Sequence, residues 1–279
     1  PISNQTRRAT GTGDFLTVDN LSTSAQALFD IALKNINFAV QQGEIVGIAG
    51  VAGNGQEELL KALSGEEPQK NSNAIKFKNT AVDALCPLKR RRLGLACVPE
   101  DRLGRGAVPD MDLAHNALLT SFDSGLVKKG FLVRQKISQL ADKIIKKYNV
   151  KTPSNRTHAA SLSGGNLQKF IIGREVEQNP QLLVMSHPTW GVDIGAQVAI
   201  HEAILTLRDE GCAVLVISED LDELYKICDR IGAICDGKLS PILNTDCVPL
   251  VQLGQWMAGD FNHDLKNNTA KITPQGAPA

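Results

Sequence analysis

Two short glycine-rich segments carry the residue types best suited to holding an anion. The first is Gly50-Val51-Ala52-Gly53-Asn54-Gly55-Gln56-Glu57, between a strand-like run at 44–49 and a helix-like run at 58–63. Strand, G-x-x-x-x-G and helix in that order are what a phosphate-cradling loop requires, because the turn aims its backbone N–H groups at the ligand. The residues after the glycines depart from that chemistry. Gln56 stands where a lysine reaches the β- and γ-phosphates, and Glu57 where a Ser or Thr hydroxyl meets Mg²⁺. Losing the cation and gaining a carboxylate makes the loop electrostatically poor for a triphosphate. Two readings stay open: a tight strand-to-helix turn with no ligand, or a weak, non-catalytic nucleotide site at Gly50, Gly53, Asn54 and Gly55. The second segment is Leu162-Ser163-Gly164-Gly165-Asn166, ahead of an amphipathic run with Leu167, Phe170 and Ile171. A serine and two glycines before a helix leave backbone N–H groups unpaired and let an anion approach the main chain.

Other candidates are weaker. His187 follows the short apolar run Leu182-Leu183-Val184-Met185 and Ser186. An imidazole can serve as a base near neutral pH, but without a lysine or Mg²⁺ ligands on the glycine loop it has no polarised phosphate to act on. The expectation for His187 is a partly buried, hydrogen-bonded side chain. Glu100-Asp101-Arg102 reads as a solvated turn with a local ion pair, and the acidic run at 218–223 as a helix start favoured by the macrodipole. The cysteines Cys86, Cys97, Cys212, Cys228, Cys235 and Cys247 show no C-x-x-C spacing and no nearby histidine pair. They read as reduced thiols in a cytosolic compartment, with Cys97, Cys212 and Cys235 as small core hydrophobes. No metal site is expected from this chain's own ligands.

The elements that must position these residues follow from length and pattern. A chain of 279 residues is long enough for a sizeable α/β core. Hydrophobic content of 42% with only 4% aromatics suits a core of Val, Ile, Leu and Ala. Thirty basic residues balance thirty acidic ones, so no overall field favours nucleic acid or anionic lipid. No apolar run approaches the roughly 20 residues of a membrane helix, and the first residues show no signal-peptide pattern, so any membrane association is expected to go through a partner. Strands are expected at 14–20, 33–40, 44–49, 74–78, 94–98, 182–185 and 212–217, with a hairpin joining 231–235 to 238–242 across Asp236-Gly237. The pattern over 111–178 is helical, with pieces expected at 112–121, 134–148 and from about Gly165, and an apolar stripe of Ile137, Leu140, Ala141, Ile144, Ile145 and Tyr148 in the middle one. Further helices are expected at 88–93, 195–210 and 248–257.

In order and spacing, these segments resemble the ATP-binding-cassette (ABC) family. Leu162 to Asn166 looks like its signature motif, Leu182 to His187 sits at its Walker B strand, and Gly191-Val192-Asp193 at its D-loop. The resemblance implies an α/β fold: an ABC-type P-loop NTPase core with a mixed sheet and an inserted helical subdomain. On that pattern 1–13 is a linker, 14–261 the nucleotide-binding domain with a helical subdomain at about 105–178, and 262–279 a disordered tail. Where the family keeps catalytic or metal-contacting groups, this sequence has Gln56, Glu57, Glu100, Ser186, His187 and Glu219, so no catalytic residue is expected in this half. Its signature is nearly intact. By resemblance, Ser163, Gly164, Gly165 and Asn166 contact a γ-phosphate held with Mg²⁺ on a partner cassette's P-loop, and Asp193 reaches across the same interface.

VPEDR at 98–102, PTWGVD at 188–193 and VLVISEDLDEL at 214–224 are similar to the second cassette of tandem importer ATPases, nearer the nucleoside branch than the ribose or galactose branch. The partners implied are an N-terminal cassette on the same polypeptide, transmembrane permease subunits and, indirectly, a substrate-binding lipoprotein. The location implied is the cytoplasmic face of the cell membrane. An independently hydrolysing ABC domain and a regulatory or scaffold domain without transport are the alternatives.

Overall fold

The computed structural model describes residues 13–25, 30–69 and 73–261. The expected linker, apart from Gly13, and the expected tail at 262–279 lie outside the described residues. In chain order the first half holds β1 (Asp14–Leu21), β2 (Ile36–Gln41), β3 (Ile45–Ala49), α1 (Gln56–Ser64), β4 (Ile75–Phe77), β5 (Thr80–Ala81), α2 (Pro87–Arg92), β6 (Leu95–Val98), α3 (Leu113–Ser121), β7 (Val127–Lys128), β8 (Phe131–Leu132) and α4 (Arg134–Lys147). The second half holds α5 (Gly164–Val176), β9 (Leu182–Ser186), α6 (Ile194–Asp209), β10 (Ala213–Ser218), α7 (Leu221–Ile227), β11 (Arg230–Cys235), β12 (Lys238–Leu239), β13 (Leu243–Asn244) and α8 (Leu250–Met257).

The central sheet runs β12-β11-β3-β10-β9-β6, with β13 on β11. Its strands β11, β3, β10, β9 and β6 are mutually parallel, while β12 and β13 are antiparallel, so the sheet is mixed. Alternation along β10 explains the continuous apolar run of that strand. Ala213, Leu215 and Ile217 enter one core layer, with α1 and the antiparallel sheet β2-β1-β4-β5. Val214 and Val216 enter the other, against the helices of the second half. A strand buried on both faces has no interior position for a polar side chain, and the one polar residue of β10, Ser218, closes it and donates to Glu223.

Two expected boundaries are corrected and one hairpin is added. The second strand begins at Ile36, because Asn35 has φ 52° and cannot continue an extended chain; the Ser22 hydroxyl accepts the Asn35 N–H and donates to Asn35 Oδ1 instead. The three helical pieces expected within 111–178 are present as α3, α4 and α5, and the stretch between the first two holds an unexpected hairpin of β7 and β8 whose turn residues Lys129 and Gly130 both have positive φ (50° and 80°). The hairpin across Asp236-Gly237 is present, but its second arm stops at Leu239 and the chain returns along β11 as β13.

The helix behind the glycine loop is finished by a residue that the basic run at 89–92 conceals. Arg90 is fully buried, and its guanidinium donates to the carbonyls of Ala62 and Leu63 in the last turn of α1 and to those of Asp83 and Leu85. Helix carbonyls without intrahelical donors need such a partner when no water reaches them. Burial pulls the Arg90 guanidinium down to about 10, which still leaves it charged at neutral pH. Arg90→Met is expected to lower unfolding stability by about 3 kcal/mol, read from the urea midpoint at constant m, because it strands these carbonyls.

Candidate functional site

The parallel strands deliver their following loops to one edge of the sheet. The loop at 50–55 leaves β3, 99–102 leaves β6, 187–193 leaves β9 and 219–220 leaves β10. Gly55 has φ 111° and precedes α1; a Cβ there would meet Ile234, Leu33 and Gly237 at 3.2–3.3 Å, so both conformation and space demand glycine.

The structure turns Gln56 inward. Its side chain is buried, its amide Nε2 donates to Val51 O at 2.7 Å, and its Oε1 accepts from the Asn54 N–H at 3.0 Å. A Cβ on Gly50 would lie 2.6 Å from that Nε2, so Gly50 makes room for the amide. Asn54 is pinned as well: its Nδ2 donates to Val51 O, its Oδ1 accepts from Asp236 N–H at 3.0 Å, and its carbonyl accepts from Gly237 N–H. Glu219 closes the loop from outside, its Oε1 accepting the Ala52 N–H at 2.8 Å. Glu57 points elsewhere, toward Arg105 at 3.2 Å and Lys61 at 3.1 Å. Gly53 has φ 80° and open space beside it. The loop has the backbone of a phosphate cradle, yet this chain's own groups take two of its N–H donors and no lysine enters it. These residues do not fit a bound triphosphate with Mg²⁺.

The second glycine segment is arranged differently. Ser163 is the N-cap of α5, and the helix ladder begins with Leu167 N–H to Ser163 O, so the N–H groups of Gly164, Gly165 and Asn166 precede it. Ser163 Oγ accepts from Asn166 Nδ2 at 2.8 Å, which leaves its O–H as a donor. Asn166 Oδ1 accepts from Lys151 N–H, anchoring the turn. A Cβ on Gly165 would touch Val192 at 3.6–3.8 Å, placing this segment beside the 190–193 loop. Asp193 caps α6, and the N–H of Ala196 holds its carboxyl below the usual carboxylate range.

Ser186 is buried at the end of β9. His187 is also buried and has φ 47°; its backbone N–H donates to Ile217 O, its ring lies 5.6 Å from the Trp190 ring, and its Nε2 is 3.8 Å from Glu100 Oε2. Glu100 thus faces His187 and is no part of a local ion pair with Arg102. Arg102 donates instead to Gln168 Oε1 at 3.0 Å and to the Trp190 carbonyl, tying the exit of β6 to α5 and to the 187–193 loop. Gln168 Nε2 completes the tie to Pro188 O at 3.0 Å. The acidic run holds a buried hub that its helix-start pattern conceals: Glu223 accepts from Thr189 Oγ1 at 2.7 Å and Ser218 Oγ at 2.9 Å and meets His201 Nε2 at 3.0 Å. A cleft of about 310 Å³ lies between the two loops, lined by His187, Trp190, Glu219 and Glu223 among others. Of the thiols, Cys97, Cys212 and Cys228 are buried, Cys235 is partly exposed, and Cys86 and Cys247 are exposed. Burial pushes the Cys97 and Cys212 thiols up to about 12.

Known proteins share both the fold and much of the sequence. An ATP-binding cassette solved as a dimer with ADP and Pi superposes with TM-score 0.70 over 82% of this chain and 98% of its own, at 19% identity. A nucleotide-free cassette gives 0.68 over 83% and 92%, at 20% identity. In sequence, the nucleoside import ATP-binding protein NupA of Lactococcus lactis is 41% identical over 82% of this chain and 45% of its own length. The guanosine import ATP-binding protein NupO of Bacillus subtilis is 38% identical over 81% and 44%, and a galactose/methyl galactoside import ATP-binding protein of Clostridium perfringens 35% over 83% and 44%. The chain therefore spans less than half the length of these relatives. The family model described as ABC transporter matches residues 33–190, from the approach to β2 through both glycine segments to Trp190. With that match over more than half of its length, the chain belongs to the ABC transporter family.

Proposed function

We propose that this chain is the C-terminal cassette of a tandem importer ATPase for nucleosides or simple sugars. It donates its signature to an ATP site built on the partner cassette's P-loop and does not hydrolyse ATP on its own loop. One contrast carries the reading: the N–H groups of Gly164, Gly165 and Asn166 stand ahead of the α5 ladder, while the loop at 50–55 is braced by Gln56 and Glu219. Ser163 Oγ and those N–H groups donate to the terminal phosphate held with Mg²⁺ on the partner loop, where fixed donors stabilise developing charge. Asp193, at the start of α6, faces the same junction.

The relatives support the substrate class through what they import, and their length has room for a second domain of this size. In this reading residues 14–261 form one cassette, and the stretch at about 105–178 is its helical subdomain, which meets the permease. Among the described residues no helix is long and apolar enough to cross a membrane. Attachment to the cytoplasmic face of the membrane therefore runs through permease subunits, with a substrate-binding lipoprotein setting the solute.

Calorimetric titration of Mg-ATP into this chain alone at near-physiological salt is expected to show no binding at millimolar ATP. Micromolar binding with magnesium-dependent turnover would restore the reading as an independent ATPase. In the complete two-cassette protein, Ser163→Ala is expected to lower steady-state ATP turnover by roughly a hundredfold, the loss typical of one oxyanion-type donor. Glu57→Gln in the same protein is expected to leave turnover nearly unchanged. Equal losses in the two variants would sink the division of labour.

A further inference from the structure

The loop at 50–55 fails to fit a nucleotide for a reason beyond its missing lysine. A loop that had only lost its cation would still present free N–H groups to an anion. Here the Ala52 N–H is already donated, at 2.8 Å, to the carboxylate of Glu219, which arrives from the end of β10. The Asn54 N–H is donated at 3.0 Å to the Gln56 amide, which enters from the start of α1. The same amide and the side chain of Asn54 both donate to Val51 O, at 2.7 and 2.8 Å. The turn at Asp236-Gly237 fixes Asn54 from the far side through two more backbone N–H groups. Three separate parts of the chain thus hold one short loop with no ligand required.

We infer that Glu219 is the resident anion of this cradle: its carboxylate occupies a phosphate-binding N–H donor, and an incoming polyphosphate must displace it. Glu219 is otherwise exposed at the end of a strand, where a carboxylate is best hydrated in water. Its bond to a backbone N–H is of the charge-assisted kind that anchors phosphates in such loops. A phosphate approaching Ala52 meets a like charge as well as a used donor. This half of the ATPase therefore keeps its loop closed and ordered through the cycle without binding nucleotide, and only the composite site on the partner loop empties and refills. The inference deepens the proposed function and rests on its reading of the loop as non-hydrolytic.

The test uses the full 279-residue chain, wild type, Glu219→Ala and Glu219→Gln, with inorganic pyrophosphate as the probe. Binding is followed by calorimetry, and hydrogen exchange at the Ala52 amide by NMR. In Glu219→Ala the Ala52 amide is expected to exchange faster without ligand and to regain protection with pyrophosphate. Pyrophosphate affinity should rise by roughly ten- to a hundredfold over wild type, the worth of one charge-assisted bond no longer competing. Glu219→Gln, which keeps the acceptor and removes the charge, should fall between the two. Identical pyrophosphate affinity in all three proteins, or unchanged Ala52 exchange in Glu219→Ala, overturns the inference. Neither result touches the signature-donor reading, which fails separately if Ser163→Ala and Glu57→Gln lose ATP turnover equally in the two-cassette protein.

Discussion

The structure depends on a sheet that has no polar face. In β3, β9 and β10 every residue is buried, Ser186 and Ser218 at the strand ends included, and neighbouring apolar side chains alternate between two core layers. A residue that must meet water or ligand can sit only beyond a strand end. Because the strands are parallel, their carboxyl ends share one edge, the usual place for ligands in open α/β sheets. The glycine loop, the exit of β6, the 187–193 loop and Glu219 are therefore neighbours by topology. The same constraint lets the loops change chemistry freely. Gln56, Glu57, His187 and Glu219 all lie beyond strand ends, so their chemistry is set without touching the packed core beneath them.

Much of this was legible in the sequence because it rests on local pattern. The apolar β-branched run at 213–217, the glycine loop between strand and helix, and Asp236-Gly237 with both φ values positive follow from rules that act over a few residues. The contacts that were not legible join side chains to distant backbone. Arg90 reads as one of four consecutive basic residues, yet it is buried and finishes α1 more than twenty residues away. Glu223 reads as helix-start charge, yet it gathers Thr189, Ser218 and His201 behind the cleft. A long-range polar contact leaves no period in the sequence, and its partner, a carbonyl or an N–H, has no residue type to detect. The Lys129-Gly130 hairpin was missed for another reason: two-residue strands carry too little alternation to stand out from surrounding helices.

The two glycine segments divide the same physics in opposite ways. Each precedes a helix, and each helix start carries a partial positive charge from N–H groups without intrahelical partners. At α1 that charge is answered within the chain: Glu57 and Glu58 lie in the first turn, and Glu219 and the Gln56 oxygen take loop N–H groups. At α5 the first turn holds no acidic residue, Ser163 makes no side-chain bond to the helix N–H groups, and the Ser163 hydroxyl keeps its proton to donate. Arg102 stands against Gly164 and Lys169 lies one turn on, with the Asp193 carboxylate close enough to Lys169 to interact with it. The helix start at α5 thus keeps N–H donors ahead of its ladder with no acidic side chain in its first turn, while those of the loop before α1 are answered by Gln56 and Glu219.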